Sequence, residues 1–255
     1  MLTFERLVLA YLAFFAVAAP LTRVERRRRA GTMLAATAGA VAVVLAARVV
    51  PLEARLALPF AYIAFGYWLP VALVQPAPRG ALEAWLRRTD AAVRGRLPVG
   101  VPRWLAHAME LGYLACFPLV PAAFAVVSIA GSQADAARFW TSLLAAGFAC
   151  YGTLPWLVSR PPRLLGDAAR VTSTAMARVN VSILDRVSHG FNTFPSGHVA
   201  VSVAAAISVG EVWPGAGLVF GVAAAAVALG AVAGRYHYLA DVALGAAVGI
   251  LVTLG

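Results

Sequence analysis

Apolar and polar residues alternate in long blocks along the chain. Apolar runs lie near residues 7–21, 32–50, 57–75, 105–130, 137–158, 197–213, 215–233 and 238–255, separated by segments rich in arginine. At 1.5 Å per residue, several of these runs are just long enough to cross a bilayer as helices. The pattern predicts an all-α polytopic transmembrane bundle. The first run lacks a basic start and a clean small-residue cleavage site, so it reads as a span and not a signal peptide. Pro118, Pro121 and Pro155 fall inside runs, where kinks are tolerated if neighbouring helices satisfy the freed carbonyls.

Two of the polar segments carry helical periodicity of their own. Over 80–95, Ala81, Leu82, Trp85, Leu86 and Val93 form a broken apolar face with arginines opposite, which predicts a helix lying in the membrane interface. Leu164, Ala168, Val171, Ala175, Val179, Ile183 and Val187 recur every three to four residues. That spacing predicts a second amphipathic helix along the surface, a lid beside any site there.

Composition agrees with a membrane protein: 62% of the 255 residues are hydrophobic and 13% charged, which excludes an ordinary soluble domain. The net charge of +10 comes from 21 arginines and no lysine. In a soluble chain that excess would suggest nucleic acid. Here spans divide the arginines into loops, which points to anionic lipid headgroups and topology instead. Arginines 23–29, 79–103, 160–186 and 235 follow spans one, three, five and seven. With eight spans this places 17 of the 21 on one side and leaves Arg6, Arg48, Arg55 and Arg138 for the other. The positive-inside rule makes the rich side cytoplasmic, in a multi-pass cell (inner) membrane protein. One membrane domain is expected, with N-terminal spans and a basic interfacial loop over 1–104 and a core over 105–255. Cys116 and Cys150 lie in apolar runs and read as small packing residues.

Three segments on the arginine-rich side carry candidate chemistry. Phe194-Pro195-Ser196-Gly197-His198 opens one apolar run. A Pro-Ser-Gly turn at a helix start leaves N–H groups and a positive dipole end that suit phosphate. In Tyr236-His237-Tyr238-Leu239-Ala240-Asp241, His237 and Asp241 are four apart, so on a helix the carboxylate can fix the imidazole tautomer. Ser159-Arg160-Pro161-Pro162-Arg163 offers two guanidinium groups stiffened by prolines. Ionisable residues at such depth are costly and usually functional. Haem ligation by the two histidines would leave the turn and the arginines unused. His107 and His189 read as interfacial polar residues, and Glu110 and Asp135 take no role.

With Pro-Ser-Gly-His at 195–198 and His-x-x-x-Asp at 237–241, the second half of the chain resembles the type 2 phosphatidic acid phosphatase superfamily, the vanadium haloperoxidase-like membrane enzymes. That resemblance implies a six-span phosphatase core with about two extra N-terminal spans. It implies His237 as nucleophile, Asp241 as its orienting partner and His198 as general acid and then base. Arg160, Arg163 and Arg235, with the N–H groups of Ser196 and Gly197, would bind the phosphate. No metal and no cofactor is called for. The sequence departs from the family pattern at Thr153, where a lysine is usual, and at Gly230-Ala231, where Ser-Arg is usual; Arg235 stands only two residues before His237. The residues around both histidines look more like the branch containing inositol phosphorylceramide and sphingomyelin synthases.

The expected activity is a metal-independent lipid phosphatase acting on a lipid phosphate or diphosphate, of phosphatidate or prenyl diphosphate type, drawn from the bilayer. The alternative is a transferase moving a phosphorylated headgroup between lipids. Arg235 can reach the phosphate only if 234–236 is still a turn, for which Gly234 is suited.

Overall fold

The computed structural model describes residues 1–75, 80–94, 102–165 and 174–255. Arg79, Arg96, Ala168, Arg170 and Val171 lie outside them, as do the side chains of Val93 and Arg94. Twelve α-helices lie among the described residues: α1 (Thr3–Ala18), α2 (Arg26–Val49), α3 (Leu52–Arg55), α4 (Pro59–Trp68), α5 (Ala81–Arg94), α6 (Arg103–Leu114), α7 (Cys116–Ala130), α8 (Gln133–Tyr151), α9 (Ala175–Val187), α10 (Gly197–Val212), α11 (Pro214–Ala233) and α12 (Leu239–Leu254). No strand occurs there, only an isolated bridge between Ser159 and Asn192.

Each apolar run is helical. The fourth is α6 and α7 together, bent by 54°. Pro118 lies at the start of α7 and has no N–H for the Leu114 carbonyl that ends α6, which frees the chain to turn there. Four stretches are long and apolar enough to cross a membrane: Thr3–Leu21, Arg26–Val49, Leu52–Leu73 and Pro214–Ala233. The bent pair makes a fifth. Helices α10 and α12 have 16 residues each, roughly 24 Å, shorter than the hydrocarbon core of a typical bilayer. This is a multi-pass membrane protein.

Contacts between loops show which ends of the helices share a face. Arg28 donates to the Val71 and Val74 carbonyls at 3.3 and 3.1 Å. Arg160 pairs with Glu83 at 3.0 Å, and the Arg163 N–H donates to the Arg235 carbonyl at 3.0 Å. The loops after the first, third, fifth and seventh runs therefore lie together, as the arginine distribution anticipates. Away from them, Arg55 makes a two-pronged pair with buried Glu5 at 2.6 and 2.8 Å, tying α1 to α3.

Helix α10 buries ten of its sixteen residues and packs against α7, α8, α11 and α12, so its apolar residues need no amphipathic pattern. Gly245 and Gly249 lie one turn apart on α12. A Cβ at either would come within 2.5 Å of the Ser196 or Ala200 carbonyl, so the small face lets α12 close on α10. That approach seats the Ser196 N–H against the Asp241 carbonyl at 3.0 Å. Thus the starts of the two histidine-bearing segments are fixed to each other. Helix α1 belongs to the bundle: Tyr11 donates to the Gly66 carbonyl at 2.8 Å and stacks on Phe148 at 4.0 Å. Helix α2 buries only Thr32, Ala36 and Val43.

The interfacial helix expected over 80–95 is α5, with Leu86 buried and Arg87 and Arg88 exposed. It crosses all three candidate segments. Glu83 holds Arg160, Trp85 meets Phe194 edge-on at 6.3 Å, and Asp90 accepts from the Leu239 N–H at 3.3 Å. The second amphipathic segment is helical as α9, whose Thr174 hydroxyl caps the Ala177 N–H at 3.0 Å. Cys116 and Cys150 are both free thiols.

Candidate active site

Hydrogen bonds between loops assemble the site. The Asn192 N–H donates to the Ser159 carbonyl at 2.8 Å, and its side-chain amide donates to the Tyr236 carbonyl at 3.0 Å. One asparagine therefore ties together the segments of Arg160, His198 and His237. Asn192 received no role from the sequence, because its function is to hold backbone groups contributed by distant segments.

The cavity so formed opens to solvent, with about 400 Å³ of empty space when the open part is included. His198, His237, Arg163 and Gly197 line it, with Tyr67, Tyr113, Tyr151 and Tyr236. The two imidazole rings stand 6.0 Å apart between centroids and nearly perpendicular, at 88°. His237 Nδ1 lies 3.4 Å from Asp241 Oδ2, and Asp241 is fully buried. That distance is long for a hydrogen bond but suits an electrostatic partner behind the ring. Oδ2 also accepts from the Tyr238 N–H at 3.1 Å, capping α12. The His237 and Tyr236 N–H groups both donate to the Ala231 carbonyl, at 3.0 and 2.9 Å.

The phosphate-binding candidates are distributed unevenly. Arg163 lines the cavity, its guanidinium 5.1 Å from the Tyr236 ring centre. Arg160 is held by Glu83 instead, and that bond pushes its already high pKa further up. Arg235 lines a second cavity with Arg87, Arg88, Asp90 and Tyr238. The Ser196 N–H is engaged by the Asp241 carbonyl, and the Gly197 N–H by the Thr193 hydroxyl at 3.2 Å. Of the expected groups, His198, His237 and Arg163 thus meet at one cavity, backed by Asp241; Gly197 lines it with its N–H already taken, and Ser196 does not line it. Arg160 and Arg235 do not line it.

Residues 234–236 do form a turn, but not by the expected route. Gly234 has an ordinary helical φ of −74°, whereas Arg235 takes φ +58°. The left-handed region costs a non-glycine residue on the order of 1 kcal/mol. Glycine is needed at 234 for space, since a Cβ there would sit 2.3 Å from the Tyr236 ring. The turn sends Arg235 to one side of the loop and His237 to the other.

The departures from the family pattern have local reasons. The Thr153 hydroxyl lies 2.7 Å from the Cys150 carbonyl and 2.8 Å from that of Phe194, so it binds the end of α8 to the Pro-Ser-Gly-His turn. A Cβ at Gly230 would come 2.3 Å from the Met109 carbonyl of α6, and Ala231 is fully buried. His189 packs on Tyr67 at 4.4 Å, and burial pulls its pKa down to about 4, leaving a neutral ring. Among the described residues, no three His, Cys, Asp or Glu side chains gather as a metal site.

Two perpendicular histidines, one backed by a carboxylate, facing an arginine in a membrane bundle form a constellation suited to phosphoryl chemistry. Residues 135–255 match the model of the PAP2 superfamily. The match takes in α8 to α12 and both histidine motifs. It supports the type 2 phosphatidic acid phosphatase superfamily and phosphatase-type phosphoester chemistry for this part of the chain. No curated protein and no solved structure matches the chain. Tyr67 and Tyr113 come from α4 and α6, outside the matched segment, so the N-terminal part of the chain contributes two walls of the PAP2-like cavity.

Proposed function

We propose that the chain is a lipid phosphatase acting through a phosphohistidine on a lipid phosphate or diphosphate drawn from the bilayer. The observation that carries this reading is the pair of perpendicular imidazoles across a cavity that Arg163 lines. His237 attacks phosphorus as the phosphorus–oxygen ester bond breaks, and Asp241 balances the positive charge on the ring. His198 protonates the departing lipid oxygen, then takes a proton from the water that releases phosphate from His237. Arg163 neutralises the non-bridging oxygens. The arginine-rich face would be cytoplasmic, with the site on that side of the cell membrane.

A second reading is a headgroup transferase, in which a lipid or polyol hydroxyl takes the place of water. What favours it is Thr153, Gly230 and Ala231, which leave uncharged the positions where a phosphatase-type site carries Lys and Ser-Arg. Purified protein given phosphatidate or a prenyl diphosphate in excess EDTA is expected to release inorganic phosphate. A new phospholipid formed only when an acceptor is added, with no free phosphate, would establish the transferase. Activity lost with chelator would contradict the mechanism.

A further inference from the structure

Glu110 is a carboxylate buried in α6, outside the matched segment and outside every motif, with 4% of its surface exposed. An ionised carboxylate at that depth is costly unless hydrogen-bonded. Its Oε2 accepts from the Tyr236 hydroxyl at 2.6 Å and from the Asn180 side-chain amide at 2.6 Å. The same amide also donates to the Glu110 carbonyl at 2.9 Å. Three elements meet there: α6, the surface helix α9 and the loop carrying His237.

Tyr236 is held on every side. Tyr113 stacks parallel on the ring at 4.0 Å and 5°, and Asn192 binds its carbonyl. Arg163 lies over the ring at 5.1 Å, and since Tyr113 covers one face, the guanidinium takes the other. A phenol giving a short hydrogen bond to a carboxylate gains electron density in its ring, which strengthens its attraction for a cation over the face. A planar guanidinium suits such stacking better than a compact ammonium.

We propose that Glu110 is a positioning residue for phosphate binding, acting through Tyr236 to hold the Arg163 guanidinium over the cavity. This rests on the phosphoryl-transfer reading of the same cavity. Glu110 and Asn180 anchor the ring, the ring orients Arg163, and Arg163 meets the anion. The pair also joins the N-terminal part of the chain to the histidine loop.

The test is a double-mutant cycle on the detergent-solubilised full chain, reading inorganic vanadate affinity by calorimetry and kcat and KM separately. Glu110→Gln and Tyr236→Phe are each expected to weaken vanadate binding about ten-fold and to raise KM more than they lower kcat. In an Arg163→Gln background, which leaves no cation over the ring, each is expected to add less than about two-fold. Equal losses in both backgrounds, or unchanged vanadate affinity in both single variants, would overturn the proposal while leaving the phosphatase reading intact. If Glu110→Gln does not fold, Tyr236→Phe keeps the ring and completes the cycle alone. Wild-type protein that neither binds vanadate nor turns over a lipid phosphate would instead overturn the reading of the site.

Discussion

The loop from Gly234 to Tyr238 separates two cavities that look alike in sequence and differ in construction. On one side, a narrow cavity is lined by both histidines, Arg163 and four tyrosines. On the other, about 950 Å³ is lined by Arg87, Arg88 and Arg235 with Asp90 and Tyr238. The second has more arginines, yet the first holds both histidines. A guanidinium set over an aromatic face is preorganised; Arg87 and Arg88 on α5 are exposed. Position within a hydrogen-bonded frame, not the number of cations, separates a reactive site from a basic surface.

That contrast can be broken by substitution, starting with the largest expected effect. On a lipid phosphate, whose leaving oxygen needs a proton, His237→Ala and His198→Ala should each lower kcat/KM by at least about 10⁴-fold, since nucleophile and acid act as one unit. A modest loss in either would remove that histidine from the chemistry. Arg163→Ala should cost about 10²–10³-fold, as for one preorganised oxyanion donor. Arg160→Ala should cost less than about ten-fold, because its guanidinium is engaged by buried Glu83 and does not line the cavity. A loss equal to that of Arg163→Ala would mean that Arg160 leaves Glu83 for the substrate. Smallest of all, Arg235→Ala should keep kcat/KM within about three-fold of wild type, the range for residues outside the reacting cavity. A drop of 10²-fold would place Arg235 at the phosphate and erase the distinction between the two cavities.

Much of this was legible from residue order. The apolar runs located the long helices, of which four among the described residues, or five with the bent pair, are long and apolar enough to cross where eight were expected; the broken periodicity over 80–95 located α5, and arginine counts grouped the loops on one face. The spacing of His237 and Asp241 placed the carboxylate behind the ring. What was not legible depends on long-range contacts. Glu83 captures Arg160 across 77 positions, and Glu110 captures Tyr236 across 126. Neither acid lies in a pattern, because burial and not periodicity makes it matter. The turn at 234–236 was foreseen, but the positive φ fell on Arg235 and not Gly234, and that reverses which side of the loop the arginine faces.

The central claim is that His237 becomes covalently phosphorylated in the first cavity. His198→Ala provides the most direct measurement when given p-nitrophenyl phosphate, whose leaving group needs no acid to depart. Attack by His237 should then proceed while release by water, lacking its base, lags. The expected result is a burst of one equivalent of p-nitrophenolate per chain, with an acid-labile phosphoryl group on His237 by mass spectrometry. Steady turnover without a burst, and with no phosphoryl group on His237, would contradict it.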